Sequence, residues 1–261
     1  MKYLTPKKSL GQHFLNDTFI AQKIVASLRA EGIRQVVEVG PGMGALTGFL
    51  LQETRFDARF VEVDADAAVF LEKQFPEIKG KLIYADFLEY PLSDHYQGKI
   101  AVIGNFPYNI STQILFKILE HRSLVVEVVG MLQKEVAERI AASPGSKTYG
   151  ITSVLLQAFY NIEYLFTVHE DSFSPPPKVK SGVIRLTRNS VDKLPCNEKI
   201  FTQVVKTAFN QRRKMLSNSL KSLLPDNTQK NLPIFSKRPE QLSVQDFIEL
   251  TQRMEEPTKV S

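Results

Sequence analysis

Five short runs rich in Val and Ile, QVVEV (35–39), ARFVEV (58–63), KLIYA (81–85), KIAVIG (99–104) and LVVEVV (124–129), recur along the first half of the chain with helically spaced stretches between them. Runs this short and this apolar suit strands buried on both faces, and strands joined through helices form parallel sheets. Two more, IEYLFTV (162–168) and SGVIRLT (181–187), follow a Gly-, Pro- and Ser-bearing loop, SPGSKTYG (143–150). The helices are expected to start near Asp17, an N-cap residue with Ile20, Ile24, Val25 and Leu28 on one face behind it, and after Gly44, Asp64, Asn109 and Gln133. An α/β fold follows.

Beyond residue 188 the Val/Ile runs stop. KIFTQVVKTAFNQRRKMLSNSLKSL (199–223) and PEQLSVQDFIELTQRM (239–254) carry helical spacing instead, so the chain is expected to divide into a sheet domain, 1–188, and a small helical domain, 189–261. Charge follows the same division. Residues 31–100 hold seven Lys/Arg against twelve Asp/Glu, whereas 199–221 hold six Lys/Arg and no acid. A basic flank on an acidic body suits a polyanionic partner. No apolar run nears the ~18 residues that cross a bilayer. The only cysteine, Cys196, has no partner for an internal disulfide, and no N-terminal stretch combines a basic start with an apolar core and a small-residue cleavage site. The expectation is a cytoplasmic protein that does not engage a membrane.

EVGPGMGALTGFL (38–50) runs from a strand through a glycine-rich turn into a helix. Glycines at Gly40, Gly42 and Gly44 let the backbone turn sharply and approach a ligand closely. Glu62, at the tip of the next strand, is placed to accept the hydroxyls of a ribose, and Asp86, after the third, to accept from an exocyclic amino group. Asp64 reads better as the N-cap of the following helix. These acids suit a neutral or cationic nucleoside rather than a pyrophosphate, and the loop carries no Walker lysine. S-adenosylmethionine is such a nucleoside, and G-x-G-x-G with acids after the second and third strands resembles the class I methyltransferase pattern. NAD is the runner-up cofactor.

In IGNFPYNIST (103–112) an amide, Asn105, closes the fourth strand. Ligands in open α/β sheets bind beyond the carboxyl ends of the strands, so this turn should face the glycine loop. The Asn105 oxygen and a carbonyl exposed by the Pro107 turn are two acceptors for the hydrogens of an exocyclic amine, and Tyr108 is a surface on which the base stacks. An adenine N6 lone pair is delocalised into its ring. Acceptors on both N–H groups favour a more tetrahedral nitrogen aimed at the donor methyl. A base in folded RNA must be turned out of its stack, and Phe173, in the proline-stiffened SFSPPPKV loop (172–179), is expected on its other face.

Taken in order, KKSLGQHFLND (7–17), EVGPGMGALT, VEVD, IGNFPYNIST, SKTYGITSVLLQ (146–157), SFSPPPKV and FNQRRKMLSNSL (209–220) resemble the ribosomal RNA adenine N6-dimethyltransferases that act on small-subunit RNA. The resemblance covers nearly the whole chain. It implies a class I methyltransferase (Rossmann-like) fold, with a seven-stranded, mostly parallel sheet and a small helical C-terminal domain. It also implies S-adenosylmethionine as donor, two adjacent adenosines near the 3′ end of 16S rRNA as substrate, and an immature 30S subunit as partner of a monomeric enzyme. Carried over residue by residue, the cofactor contacts fall on His13, Leu15, Gly40, Glu62, Asp86 and Asn105, with Gly42 and Gly44 completing the loop. His13 stands where many members have Asn, and Phe106 where Leu is common. RNA contacts are expected at Lys7, Lys8, Lys178, Arg212, Arg213 and Lys214, and no metal site is expected. Methyltransferases of large-subunit RNA share the first motifs and are the rival activity. A non-catalytic assembly or transcription factor built on the same fold is the rival class.

Overall fold

The computed structural model describes residues 6–7, 10–224 and 232–255. In chain order the elements are β1 (Phe14–Leu15), α1 (Thr18–Ala26), β2 (Gln35–Val39), α2 (Thr47–Gln52), β3 (Asp57–Glu62), α3 (Ala65–Gln74), β4 (Leu82–Tyr84), α4 (Leu92–His95), β5 (Ile100–Asn105), α5 (Ser111–Glu120), β6 (Val125–Gln133) and α6 (Lys134–Ala141). They continue with α7 (Ile151–Gln157), β7 (Tyr160–Val168), β8 (Phe173–Ser174), β9 (Ser181–Arg188), α8 (Glu198–Asn210), α9 (Leu216–Ser219) and α10 (Val244–Glu255). By their contacts the residues form two compact units, Met1–Ala137 with Asn161–Arg188, and Glu138–Tyr160 with Asn189–Ser261. Residues 138–160 thus group with the C-terminal residues rather than with the sheet, so a single cut at residue 188 does not describe the division.

The sheet of the first unit has the order β4-β3-β2-β5-β6-β9-β7. Its β4, β3, β2, β5 and β6 run parallel, and β9 lies antiparallel to β6. The class I methyltransferase fold is the one observed. Both faces are covered, as the apolar runs require: Val36 and Val37, neighbours on β2 that point to opposite faces, are each 0% exposed. On one face Val36, Phe60, Ile103 and Met131 pack with Ile24 of α1, Leu28 just beyond it, Leu50 of α2 and Leu71 of α3 in one apolar cluster.

Local chemistry starts the helices where the sequence places them. Asp17 caps α1 by accepting from the Ile20 amide, and Asp64 caps α3 by accepting from the Asp66 amide. Glu127, the acid within the β6 run, is buried and accepts from the amides of Arg29 and Ala30, anchoring the segment that leaves α1.

Strand order reverses between β2 and β5, since the chain winds outward from β2 through β3 and β4 before crossing to β5. A crevice opens beyond the carboxyl ends of two such strands. At that point the strands run close: a Cβ added to Gly104 would lie 2.6 Å from the Val39 carbonyl oxygen. The glycine turn after β2 and the NFPY turn after β5 therefore meet at one place.

In the second unit, α8 is capped by Asn197, which accepts from the Lys199 and Ile200 amides. The long helix expected over 199–223 ends at Asn210, a turn carries Gln211 to Met215, and α9 is a separate short helix. A helix not foreseen, α7, follows Gly150; the Ser153 hydroxyl accepts from the Gly150 amide and starts it.

Candidate active site

Each glycine of the turn after β2 has its own reason. All three have left-handed backbone, with φ of +66° at Gly40, +58° at Gly42 and +82° at Gly44. A Cβ on Gly40 would meet nothing within 4 Å and would stand in a cavity, whereas one on Gly44 would fall 2.3 Å from the Phe75 ring and 3.2 Å from Leu71. Gly44 does not line the cavity. Its expected ligand contact is corrected to a packing role, admitting the end of α3 against the start of α2.

The cavity measures about 250 Å³. Two carboxylates are buried in its wall. Glu62, 3% exposed, accepts from the Gly42 amide through one oxygen and the Asp64 amide through the other, both at 2.9 Å. Glu38, 2% exposed, accepts from the Thr47 hydroxyl at 2.7 Å. Burial raises both carboxyls above the usual range, Glu38 to about 8, against the pull of these neutral donors. Each oxygen of Glu62 keeps a second lone pair directed elsewhere than its amide. Asp86 lines the same cavity from the end of β4 and is exposed, one oxygen accepting from the Leu88 amide at 2.8 Å.

The neighbouring Asp64 stays outside the cavity wall. Burial would raise its carboxyl, but Lys7 at 2.6 Å, Gln12 at 3.0 Å and the Asp66 amide outweigh it and hold it below the usual range. Lys7 also pairs with Asp66 at 2.7 Å, so this expected RNA contact is an ion pair within the protein.

At the NFPY turn, the Asn105 side-chain nitrogen donates to the His13 carbonyl at 2.9 Å. An acceptor at that distance demands a donor, so the amide is turned with its oxygen on the other side. Phe106 is buried, its ring filling slots left by Gly104 and Gly130, where added Cβ atoms would lie 2.9 and 2.5 Å from it. Pro107, Tyr108 and Asn105 line the cavity with Gly40, Gly42, Glu62 and Asp86. The His13 ring lies 5.3 Å from the Tyr108 ring at a 30° tilt.

His13 and Leu15 also line this cavity, held there because β1 pairs antiparallel with β8, Phe14 opposite Ser174 and Leu15 opposite Phe173. That pairing displaces Phe173 from its expected place. It is 3% exposed, belongs to the apolar core and does not line the cavity. Phe14, on the paired strand, does line it, its ring 3.2 Å from where a Cβ on Gly42 would stand. Phe14 and Glu38 were not among the expected site residues; an acid two positions before the glycine turn was the signal for Glu38.

Lys178, Arg213 and Lys214 are exposed, while Lys8 lies outside the described residues. Arg212 is partly buried within the second unit, donating to the Ser146 carbonyl at 3.2 Å and facing the Glu240 carboxylate at 4.0 Å. This guanidinium is a tie between segments of its own unit, a correction to its expected place on phosphate. Among the described residues no group of three His, Cys, Asp or Glu could hold a metal ion, and no helix is long and apolar enough to cross a membrane.

A family model described as "Ribosomal RNA adenine dimethylase" matches residues 4–255. Over 252 residues the chain is 59% identical to the "Ribosomal RNA small subunit methyltransferase A" of Cytophaga hutchinsonii, covering 96% of this chain and 98% of that protein. Its namesake from Flavobacterium johnsoniae is 54% identical over 257 residues, covering 98% of each chain. Among solved structures, a dimethyladenosine transferase from Plasmodium falciparum aligns with a TM-score of 0.76 at 24% identity, over 91% of this chain and 96% of that one. A 23S rRNA methyltransferase, ErmE, aligns with a TM-score of 0.68 at 23% identity, over 92% and 99%. At these identities the two structures speak for the fold alone.

Proposed function

The chain belongs to the ribosomal RNA adenine dimethylase family, and on that premise we propose how its cavity carries out the reaction. The protein is a ribosomal RNA adenine dimethyltransferase. Its substrate in this reading is small-subunit RNA, at two adjacent adenosines near the 3′ end of 16S rRNA, within an immature 30S subunit in the cytoplasm.

The methyl donor is S-adenosylmethionine, whose sulfonium supplies an electrophilic methyl group when bound. The cavity fits such a nucleoside. Gly40 leaves open the space a side chain would fill, and two buried acids bonded to neutral donors favour a cationic guest, whose charge would offset the burial that raises both carboxyls. Glu62 accepts the ribose hydroxyls with its remaining lone pairs, Asp86 accepts from the exocyclic amine, and His13, Leu15 and the Gly42 backbone close the wall.

The target adenine enters beside the NFPY turn. Tyr108 stacks under its ring, and the Asn105 oxygen accepts one hydrogen of its amine, with a carbonyl of the Pro107 turn accepting the other. Two acceptors turn the nitrogen lone pair out of the ring plane, toward the methyl group it attacks. The methylated nitrogen is then cationic and acidic, so its proton passes to water without a strong base. Arg213 and Lys214 bind backbone phosphate, and base selection is left to the cavity.

One observation supports this reading above the others: the bond from Asn105 to the His13 carbonyl, which presents the amide oxygen from a wall shared with Gly40 and Glu62. Tritiated methyl transfer to unmethylated small subunits, with digestion to nucleosides, tests it. Label in N6,N6-dimethyladenosine of the small subunit, and none in large-subunit RNA, is expected. Label in large-subunit RNA instead, or in no RNA, would overturn it.

A further inference from the structure

The loop between β8 and β9 holds both rings that face each other at the NFPY turn. At its start the Pro175 carbonyl accepts from His13 Nδ1 at 3.0 Å. At its end Ser181, the first residue of β9 and 0% exposed, places its hydroxyl 2.6 Å from the Tyr108 hydroxyl. Ser181 has little freedom of its own, since it sits in register with Gln133 on β6 and the Lys134 amide donates to the Lys180 carbonyl beside it. Burial raises the Tyr108 phenol above its ordinary range despite the Ser181 bond, so the ring keeps its proton and the bond stays neutral.

The two rings are 5.3 Å apart. Stacked rings stand about 3.5 Å from one another, so a base between them would need roughly 7 Å. His13 therefore takes one face of Tyr108 and leaves the other to the substrate. A base stacked on that free face takes its plane from the Tyr108 ring. Two acceptors at the amine fix where the nitrogen is; the tilt of the ring fixes where its lone pair points.

We infer that Ser181 is a positioning residue for methyl transfer, its buried hydroxyl tethering the tip of Tyr108 and so setting the plane on which the target adenine stacks. The tether lies at the end of the phenol farthest from the backbone, where it best restrains rotation about the Cα–Cβ bond. The segment from SFSPPPKV into β9 serves the reaction through Pro175 and Ser181, not through Phe173. The inference rests on the reading that Tyr108 carries the base.

The test is a double-variant cycle in steady-state methylation of unmethylated small subunits. Ser181→Ala and Tyr108→Phe should each lower kcat about tenfold, the scale expected from losing one buried hydrogen bond with some misalignment. The KM for the subunit, and cofactor binding measured by equilibrium dialysis, should not change. The double variant should be no slower than either single one, and Ser181→Thr, which keeps the hydroxyl, should stay within about twofold of the parent. Full activity in either single variant, or losses that multiply to about a hundredfold in the double one, would overturn the inference. If Ser181→Ala does not fold, Tyr108→Phe decides alone, because it leaves β9 intact. Tyr108→Ala separates the two levels: should it methylate normally, the stacking reading fails, whereas an inactive Tyr108→Ala beside a fully active Tyr108→Phe sinks the tether only.

Discussion

Replacing Glu38 by Gln should stabilise the ligand-free protein by an amount that grows with pH. The side chain is 2% exposed and accepts from Thr47 at 2.7 Å. Burial lifts its carboxyl from 4.5 to about 8, the Thr47 hydroxyl opposes the rise and the Glu62 charge adds to it. A carboxyl raised in this way holds its proton in the folded chain while the unfolded chain has lost it. Stability therefore falls as pH climbs from 4.5 to about 8. One such group costs roughly 1 kcal/mol per pH unit across its window, a few kcal/mol in all. Gln keeps the shape and can still accept from Thr47, yet never ionises. Urea unfolding of parent and variant should agree at about pH 5 and differ by roughly 2 kcal/mol or more at about pH 8, the variant ahead. Glu62, raised in the same direction, titrates in both proteins, and its repulsion of Glu38, present only in the parent, adds to the difference. A difference independent of pH, or a variant weaker at about pH 8, would refute the reasoning. The benefit carries a functional penalty, since the variant should bind a cationic nucleoside less well.

The glycine turn predicts a division of effects. Gly44→Ala, clashing with Phe75 at a positive φ, should lose about 1–3 kcal/mol of stability, whereas Gly40→Ala, whose Cβ enters the cavity, should weaken cofactor binding more than it lowers the melting temperature. Calorimetry beside equilibrium dialysis reads both; the reverse pattern would return Gly44 to the ligand. Gly130→Ala would press on the Phe106 ring and through it on Asn105, and should lower both stability and methylation; loss of neither in parallel melting and transfer assays would show that the slot yields. Arg213→Glu with Lys214→Glu should weaken binding to the small subunit and flatten its dependence on salt, leaving cofactor affinity alone. A filter-binding series across salt concentrations would expose a wrong assignment as an unchanged slope.

What the sequence made legible was whatever local chemistry or burial on both faces dictates. The inner strands β2, β5 and β6 announce themselves because neighbours such as Val36 and Val37, side by side, must both be apolar in a covered parallel sheet. Asp17 and Asp64 read as caps because short acids before helical spacing bond nearby amides. Glu62, Asp86 and Asn105 stand at strand tips, and the order of the sheet carries them to one cavity.

Pairings between distant segments were not legible. Phe173 looks like a ring for a base until β1 and β8 align it with Leu15, far away along the chain. Arg212 sits in a basic run that reads as an RNA-contacting face, and nothing local shows that the Ser146 carbonyl and Glu240 come to meet it. Lys7 belongs to a similar run and is taken by Asp64 and Asp66. The helical spacing of 199–223 continues across Gln211–Met215, where the chain turns instead, so periodicity alone placed a helix too far.

Everything proposed for the chemistry depends on the Asn105 oxygen taking a hydrogen from the adenine amine. Single-turnover methyl transfer by Asn105→Ala, measured beside cofactor and small-subunit binding, tests that most directly. A fall in rate of about a hundredfold or more, with the fold and small-subunit binding preserved, is the predicted result. Transfer at the parent's rate would contradict it.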